Sequence, residues 1–338
     1  MIQQALARLL EGRDLSREQA RDAMGAIMTG EATPAQIGGL LVALRIKGET
    51  PEEITGFAEA IRDHVLAVRP VREDLVDTAG TGGDGQATIN ISTAAALLAA
   101  AAGAGVAKHG NRAVSSASGS ADVLEALGFS LEAPAERIAR SIDELGFGFL
   151  FAPTYHPGFR HAAPVRRELA TRTVFNVLGP LTNPAGARAQ IVGVYDPELV
   201  PTIAEVLARL GARRAFVVHG AFGVDELSPA GPNLVCEVVN GGVRRREIDP
   251  LELGLARCGP DELRGGTPSE NAAVIRAVFA GEDQGAKRDA ILLNAAGAIA
   301  AGGHADDLRD GLEVARQALD SGAAAERLEA LAAFSRDG

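Results

Sequence analysis

The N-terminal part of the chain carries apolar residues at helical spacing, as in Ile37, Leu40, Leu41 and Leu44. Residues three or four positions apart lie on one face of a helix, so each segment buries one apolar stripe. Capping boxes mark three successive helix starts, at residues 16–19, 33–36 and 50–53. The pattern predicts a small helical N-terminal domain over residues 1–68.

From Leu75 onward, short apolar runs alternate with helical segments. The runs cover residues 75–80, 105–109, 147–153, 190–196 and 214–220. This alternation is typical of an α/β domain with a largely parallel central sheet flanked by helices. Residues 233–249 resemble a hairpin around an Asn-Gly-Gly turn, and the C-terminal segment is again helical. We therefore predict a larger α/β domain over residues 69–338.

Charge and cysteine content narrow the class of protein. The 338 residues carry a formal net charge of −11, which argues against a nonspecific nucleic-acid binder because that function needs a basic surface. The uncharged stretch 85–107 consists mostly of small residues and predicts a buried helix, not a membrane span. No signal peptide is recognisable, and Cys236 and Cys258 have no metal-ligand spacing. We expect reduced thiols and a cytoplasmic protein.

Four glycines are concentrated in "DTAGTGGDGQATINIST", residues 77–93, between a predicted strand and a predicted helix. Three of them match the spacing of a dinucleotide-binding fingerprint, but the acidic residue expected about 20 positions later is absent. The GK[ST] ending of a P-loop is absent too. The loop instead predicts a nest of backbone N–H groups at a helix N-terminus, which favours a phosphate. Ser92 and Thr93 could contact that ligand or simply cap the helix.

A second glycine- and serine-rich turn follows the next predicted strand. Lys108 and Arg112 bring cations to it, and Ser120 lies at the start of the following helix. Two such turns in one α/β unit suggest a ligand with two separate phosphate groups. Asp225 and Glu226 are either surface acids or ligands for Mg²⁺, which takes one or two carboxylates plus phosphate oxygens.

Three basic residues outside these turns have ordinary structural interpretations. Arg166 is a helix-surface arginine on sequence alone, and His156 and His219 look like isolated structural histidines. No catalytic nucleophile motif stands out. Backbone N–H groups, a lysine, hydroxyls and paired acids suit displacement of a phosphorylated leaving group by positioning and electrostatics.

Four segments resemble signature segments of the anthranilate phosphoribosyltransferase family. They are residues 77–94, 106–128, 164–184 and 217–228, and the similarity runs over nearly the whole chain. It implies the nucleoside-phosphorylase-like phosphoribosyltransferase fold, in which a helical insertion near 160–183 joins the small helical domain. It also implies a homodimer through that domain, and transfer of a phosphoribosyl group from phosphoribosyl pyrophosphate (PRPP) to the amine of anthranilate.

The resemblance also implies roles for individual residues. Lys108 and Asp84 would be catalytic, and Mg²⁺ would be held by Ser92, Asp225 and Glu226. Anthranilate would contact Gly80, Asn111 and Arg166. PRPP would be bound by Gly80, Gly83, Asp84, Thr88, Asn90, Ile91, Ser92, Thr93, Lys108, His109, Gly110, Asn111, Arg112, Ala113, Val114, Ser115, Ser116 and Ser120.

Two other functions stay open at this point. A pyrimidine nucleoside phosphorylase of the same fold would leave the segment "VRRELATRTVFN" without an assigned task. A nonenzymatic relative that binds nucleic acid should lose the Asp-Glu pair and gain a basic surface, whereas this chain keeps Asp225 and Glu226 and is acidic.

Overall fold

A computed structural model describes residues 2–113 and 117–336 of the chain. The helices of the N-terminal part are α1 (Ile2–Leu10), α2 (Arg17–Met28), α3 (Pro34–Lys47) and α4 (Pro51–Asp63). The predicted capping boxes begin α2, α3 and α4, each with reciprocal side-chain and backbone hydrogen bonds. The helical N-terminal domain is thus confirmed.

The predicted strands form one seven-stranded sheet in the order β3-β2-β1-β4-β5-β6-β7. The strands are β1 (Leu75–Gly80), β2 (Gly105–Gly110), β3 (Phe147–Phe151), β4 (Ala189–Gly193), β5 (Arg214–His219), β6 (Asn233–Val239) and β7 (Gly242–Ile248). The neighbouring strands from β3 to β5 pair in parallel, whereas the β5–β6 and β6–β7 pairs are antiparallel. Asn240 and Gly241 both have positive φ in the hairpin turn, as a two-residue primed turn requires. The expected fold class is confirmed.

Helices connect and cover the strands. They are α5 (Ile91–Ala101), α6 (Ser120–Ala126), α7 (Ala135–Leu145), α8 (Ala152–Tyr155), α9 (Phe159–Leu169), α10 (Phe175–Leu178), α11 (Leu199–Arg209), α12 (Pro268–Phe279), α13 (Ala286–Gly302), α14 (Leu308–Asp320) and α15 (Ala323–Arg336). Short 3₁₀ turns lie at Gly179–Leu181, Ala221–Gly223, Pro250–Leu253 and Pro260–Leu263. None of the helices in the described ranges is long and apolar enough to cross a membrane.

Both faces of the sheet are buried, which explains why its strands appear as continuous apolar runs. Ile191 packs with α5 and α13 in one core cluster, while its neighbour Val192 packs with the N-terminal helices in another. Ala162 and Val165 of α9 belong to that second cluster. Because strands β1, β2, β4 and β5 are parallel, their carboxyl ends meet at one edge of the sheet, and the candidate residues lie there.

Candidate functional site

The acidic loop after β5 enters the sheet edge between β1 and β4. The Asp225 carboxylate accepts the backbone N–H of Gly82 at 2.6 Å. Gly80 and Gly193 are register partners on the two strands. A methyl group on Gly80 would overlap the Asp225 carboxylate, and one on Gly193 would overlap the Asp225 carbonyl. Glycine is required at Gly193 because the backbone of the acidic loop passes directly over it, and at Gly80 it leaves room for the Asp225 carboxylate.

The glycine loop adopts conformations that other residues rarely take. Gly82, Gly83 and Gly85 have φ between 67° and 76°, and all three are exposed. Asp84 accepts the N–H groups of Gln86 at 3.2 Å and Asp225 at 3.4 Å. The clustering of glycines therefore serves a tight turn whose tip is open to a ligand.

Helix α5 begins at this loop without a side-chain cap. Asn90 occupies the N-cap position but makes no capping hydrogen bond, so the alternative that Ser92 or Thr93 caps the helix is wrong. The N–H of Ser92 donates instead to Glu226 Oε1 at 3.1 Å. A carboxylate thus lies at the positive end of the helix, where a phosphate would also be stabilised.

Three carboxylates repel one another here. Burial and the neighbouring Asp84 raise the pKa of Asp225 to about 7. Burial and then the charges of Asp225 and Asp84 raise the pKa of Glu226 well above its usual value. Glu226 Oε2 is buried without a hydrogen-bond partner among the described residues. Both acids therefore have backbone partners and are not plain surface acids, and the nearby charge of Lys108 only partly offsets the rise in the pKa of Glu226.

The residues fit a magnesium ion that is completed by a substrate. No three His, Cys, Asp or Glu side chains in residues 2–113 and 117–336 are arranged to hold a metal by themselves. Mg²⁺ is usually bound by one or two carboxylates together with phosphate oxygens and water. The unpartnered oxygen of Glu226 and the nearby Ser92, which together line a small cavity with Asp225, supply that partial set.

Lys108 is buried at the same sheet edge, with 1% of its surface exposed. Its Nζ donates to the Thr78 carbonyl at 2.5 Å, to Thr78 Oγ1 at 3.2 Å and to Ser92 Oγ at 3.4 Å. Burial lowers the pKa of Lys108 to about 8, while the charges of Asp77 and Glu226 act in the opposite direction. The ammonium group is therefore directed toward the start of α5.

The second predicted phosphate loop is closed by an aspartate. Asp122 Oδ2 accepts the N–H groups of Ala113 and Gly119, both at 2.9 Å. Arg112 pairs with Asp122 at 3.0 Å and with Glu125 at 2.5 Å, so its charge is already neutralised in this structure. Val114, Ser115 and Ser116, three of the expected PRPP contacts, lie outside the described residues.

A row of rings leads from the second loop to Arg166. The ring centroids of His109 and His156 are 4.9 Å apart, His156 stacks on Phe159 at 4.9 Å, and Phe159 meets Phe175 at 5.7 Å. The Arg166 guanidinium lies over Phe175, 5.0 Å from the ring centroid. Burial lowers the pKa of Arg166, and within the described ranges it has no ion-pair partner. Arg166 is thus a half-buried cation available to an anion.

The structure separates the expected site residues into groups. Gly80, Asp84, Ser92, Lys108, Asp225 and Glu226 come together at the end of β1, with Gly83 at the loop tip. The side chains of Ile91 and Thr93 are buried. Thr88 forms an isolated bridge with Arg264, and Asn90 is bonded to Ser118 and Asn271. His109 and Gly110 end β2, Asn111 is exposed, and Ser120 begins α6.

Sequence analysis missed several residues that shape the site. Gly193 could have been noticed, because a glycine at a strand end signals close backbone approach. Asn294 on α13 holds the acidic loop in place: its side-chain amide accepts the Leu227 N–H at 3.0 Å and donates to the Leu227 carbonyl at 2.7 Å. His156 is not isolated, since its Nε2 lies 3.1 Å from His109 Nε2. Neither contact leaves a signal in the sequence.

Comparison with known proteins defines the class first. Residues 3–65 match the helical bundle domain of a glycosyl transferase family, and residues 72–325 match its a/b domain. An anthranilate phosphoribosyltransferase of Anaeromyxobacter dehalogenans is 55% identical over 333 residues, covering 98% of both proteins. The crystal structure of the Thermus thermophilus anthranilate phosphoribosyltransferase has a TM-score of 0.94 at 50% identity and covers 98% of this chain and 99% of that chain.

A more distant relative has been solved with ligands. The Saccharomyces cerevisiae anthranilate phosphoribosyltransferase in complex with PRPP and Mg has a TM-score of 0.89 at 29% identity, covering 99% of this chain and 97% of that chain. The same yeast protein is known in complex with 4-fluoroanthranilate, with a TM-score of 0.87 at 28% identity and the same coverage. The present chain belongs to this glycosyl transferase family and, within it, to the anthranilate phosphoribosyltransferases.

Proposed function

We propose that this chain transfers the 5-phosphoribosyl group of PRPP to the amine of anthranilate, releasing pyrophosphate, in the second step of tryptophan biosynthesis. The observation that carries the proposal is the meeting of the glycine loop, the acidic pair and Lys108 at one sheet edge. Arg166, which has no ion-pair partner among residues 2–113 and 117–336, lies at the end of an adjoining ring row. The family membership and the ligands of the yeast relative support it.

The departing pyrophosphate is the group whose negative charge grows in the transition state. Lys108 and the exposed N–H groups of the glycine loop are placed to stabilise that charge. Binding the transition state more tightly than the substrate lowers the barrier, whereas binding the two equally does not. Mg²⁺, held by Ser92, Asp225 and Glu226 together with the substrate, would neutralise phosphate charge there. The aromatic amine of anthranilate is unprotonated at pH 7, so no strong general base is needed.

Anthranilate carries a carboxylate beside its amine. A planar guanidinium matches a carboxylate in charge and geometry, and Arg166 lies without an ion-pair partner in the part of the chain that the structure describes. The rings of His109, His156, Phe159 and Phe175 form a continuous row between Arg166 and the phosphate loops, and Phe159 is the one that is only partly buried. We place anthranilate along this row, with Asn111 and Gly80 at its amine end.

A homodimer through the helical domain is part of the proposal. Three large apolar side chains are exposed on α1 and α3, with Leu10 at 78%, Ile46 at 82% and Val42 at 38%. Val42 and Ile46 are four positions apart and share one helix face. Such a surface fits a second copy of this chain. We assign residues 1–68, with the insertion near 160–183, to that domain and residues 69–338 to the α/β domain.

The cellular setting follows from charge and thiols. Cys236 and Cys258 are both free, which suits a reducing compartment such as the cytoplasm. The net charge of −11 disfavours nucleic acid as a partner.

The direct test mixes the purified protein with Mg²⁺, PRPP and anthranilate and follows the loss of anthranilate fluorescence. We expect turnover that requires all three additions. Phosphorolysis of pyrimidine nucleosides with no anthranilate turnover would favour the phosphorylase alternative. Binding of an oligonucleotide by a protein without either activity would favour the nonenzymatic alternative.

A further inference from the structure

Strands β1 and β2 separate just before the site. Their ladder pairs only Leu75 with Gly105 and Val76 with Val106, whereas β1 and β4 stay paired through Gly80. Beyond Val76, side chains take over the hydrogen bonds between these elements. The His109 N–H donates to Asp77 Oδ1 at 3.0 Å, and the Thr78 carbonyl accepts from the Lys108 ammonium.

Asp77 lies at the centre of this opening and is fully buried, at 0% exposure. Its second oxygen, Oδ2, accepts from Asn183 Nδ2 at 2.7 Å, and Asn183 Nδ2 also donates to the Ala107 carbonyl at 2.8 Å. A buried carboxylate is costly unless it is bonded and paired with an opposite charge. Asp77 has the bonds, and the charge opposite it is Lys108.

Asp77 and Lys108 act on each other without direct contact. No ion pair within 4.0 Å joins them among the described residues, yet each is the leading opposite charge acting on the other. Burial raises the pKa of Asp77 to about 6, so the group is ionised at pH 7. A carboxylate behind Lys108 compensates its charge without occupying the ammonium, whose hydrogen bonds are all directed to Thr78 and Ser92.

We propose that Asp77 is a positioning residue for the transfer reaction: it separates β1 from β2 at His109, fixes the loop that begins there, and serves as the counter-ion that directs the buried Lys108 toward the leaving pyrophosphate. The inference rests on the proposed function, because the reaction that Asp77 would assist is the proposed transfer. The contacts of Asp77 do not depend on that proposal. Because Asp77 is fully buried, we expect its effect to reach the reaction only through Lys108 and the His109 backbone.

Two variants separate its charge from its hydrogen bond. Asp77→Asn removes the charge and one of the two accepted hydrogen bonds, because the new NH₂ group must face either Asn183 Nδ2 or the His109 N–H, and both are donors. Asn183→Ala removes one accepted hydrogen bond and leaves the charge in place. Glu53→Gln is a second control, since Glu53 is a buried carboxylate of the helical domain, bonded to the Leu15 N–H and Lys47.

Steady-state turnover is the first readout. We expect Asp77→Asn to lower kcat about 10- to 100-fold, as for displaced catalytic groups in general, while the anthranilate KM changes by less than about threefold. Asn183→Ala and Glu53→Gln should keep kcat within about threefold of the parent protein, although both lower the melting temperature. Equal losses of kcat in Asp77→Asn and Asn183→Ala would overturn the inference, because the hydrogen bond alone would then explain the effect.

Binding of inorganic pyrophosphate with Mg²⁺, measured by calorimetry, is a readout that needs no turnover. We expect Asp77→Asn to weaken it about tenfold and Asn183→Ala by less than about threefold. If the parent protein transfers no phosphoribosyl group but this contrast remains, the proposed function fails and the role of Asp77 stands. If the parent protein is active and Asp77→Asn binds pyrophosphate normally with unchanged kcat, the role of Asp77 is refuted.

Discussion

The Asp225 carboxylate and the Gly82 N–H, 143 positions apart in the chain, form a hydrogen bond of 2.6 Å that joins the acidic loop to the glycine loop. Substituting Asp225→Asn keeps an acceptor oxygen for Gly82 and removes one of three neighbouring negative charges. We expect the half-saturating Mg²⁺ concentration to rise about tenfold or more and kcat to fall, because a carboxylate ligand is lost.

The melting temperature of Asp225→Asn without ligands should stay near that of the parent protein, since the raised pKa of Asp225 shows that its charge does not stabilise the fold. A magnesium titration of initial rates, run beside thermal melts, checks both statements. Unaltered magnesium dependence would contradict the assignment of Asp225 as a metal ligand.

Arg166 and Arg167 are adjacent on α9 but face different surroundings, since Arg166 is half-buried over Phe175 and Arg167 is exposed. We expect Arg166→Ala to raise the anthranilate KM about 10- to 150-fold, which corresponds to the loss of a charged hydrogen bond of about 1.5–3 kcal/mol. The KM for PRPP should hardly change. Arg167→Ala is the matched control. A larger effect from Arg167→Ala than from Arg166→Ala would show that the anthranilate pocket has been assigned to the wrong face of α9.

Ala170 ends helix α9 in a left-handed conformation, with φ of 47°. For an alanine this conformation costs roughly 1–2 kcal/mol, whereas glycine takes it freely. We expect Ala170→Gly to stabilise the fold by about 0.5–1 kcal/mol after the greater flexibility of unfolded glycine is subtracted. Thermal melts should show an increase, while Ala163→Gly, in the exposed interior of the same helix, should show a decrease.

His109 and His156 are buried side by side, and burial lowers their pKa values to about 3 and about 4. An unfolded histidine has a pKa near 6.5, so between these values only the unfolded chain binds the protons. The stability due to the neutral pair is complete above pH 6.5 and is lost as pH falls toward 4. Each such histidine lowers the free energy of unfolding by about 1.4 kcal/mol per pH unit in that range.

Denaturant unfolding from pH 7.5 to 4.5 tests this dependence. We expect His156→Gln to have a shallower loss of stability with acid than the parent protein, whatever its stability at pH 7.5. An equal slope in the two proteins would show that His156 does not take up a proton on unfolding.

Local patterns predicted the elements well because helix caps and strand periods depend on neighbouring residues. The capping boxes and the Asn-Gly hairpin are formed as expected, and both phosphate loops follow strands. Contacts between distant loops had no such signal. The closeness of Asp225 to Gly193 depends on how the strands are ordered in space.

Arg172 donates to the Gly83 carbonyl and stacks on Tyr195, with 3.9 Å between its guanidinium carbon and the ring centroid. It lies on the same short segment as Arg166, so the two proposed substrate regions share one piece of backbone. We expect PRPP, on binding to the glycine loop, to displace the contact between Arg172 and Gly83, and a resulting shift of that segment would alter the position of Arg166. Thermodynamic linkage then requires reciprocity: whatever factor PRPP applies to the affinity for anthranilate, anthranilate applies to the affinity for PRPP.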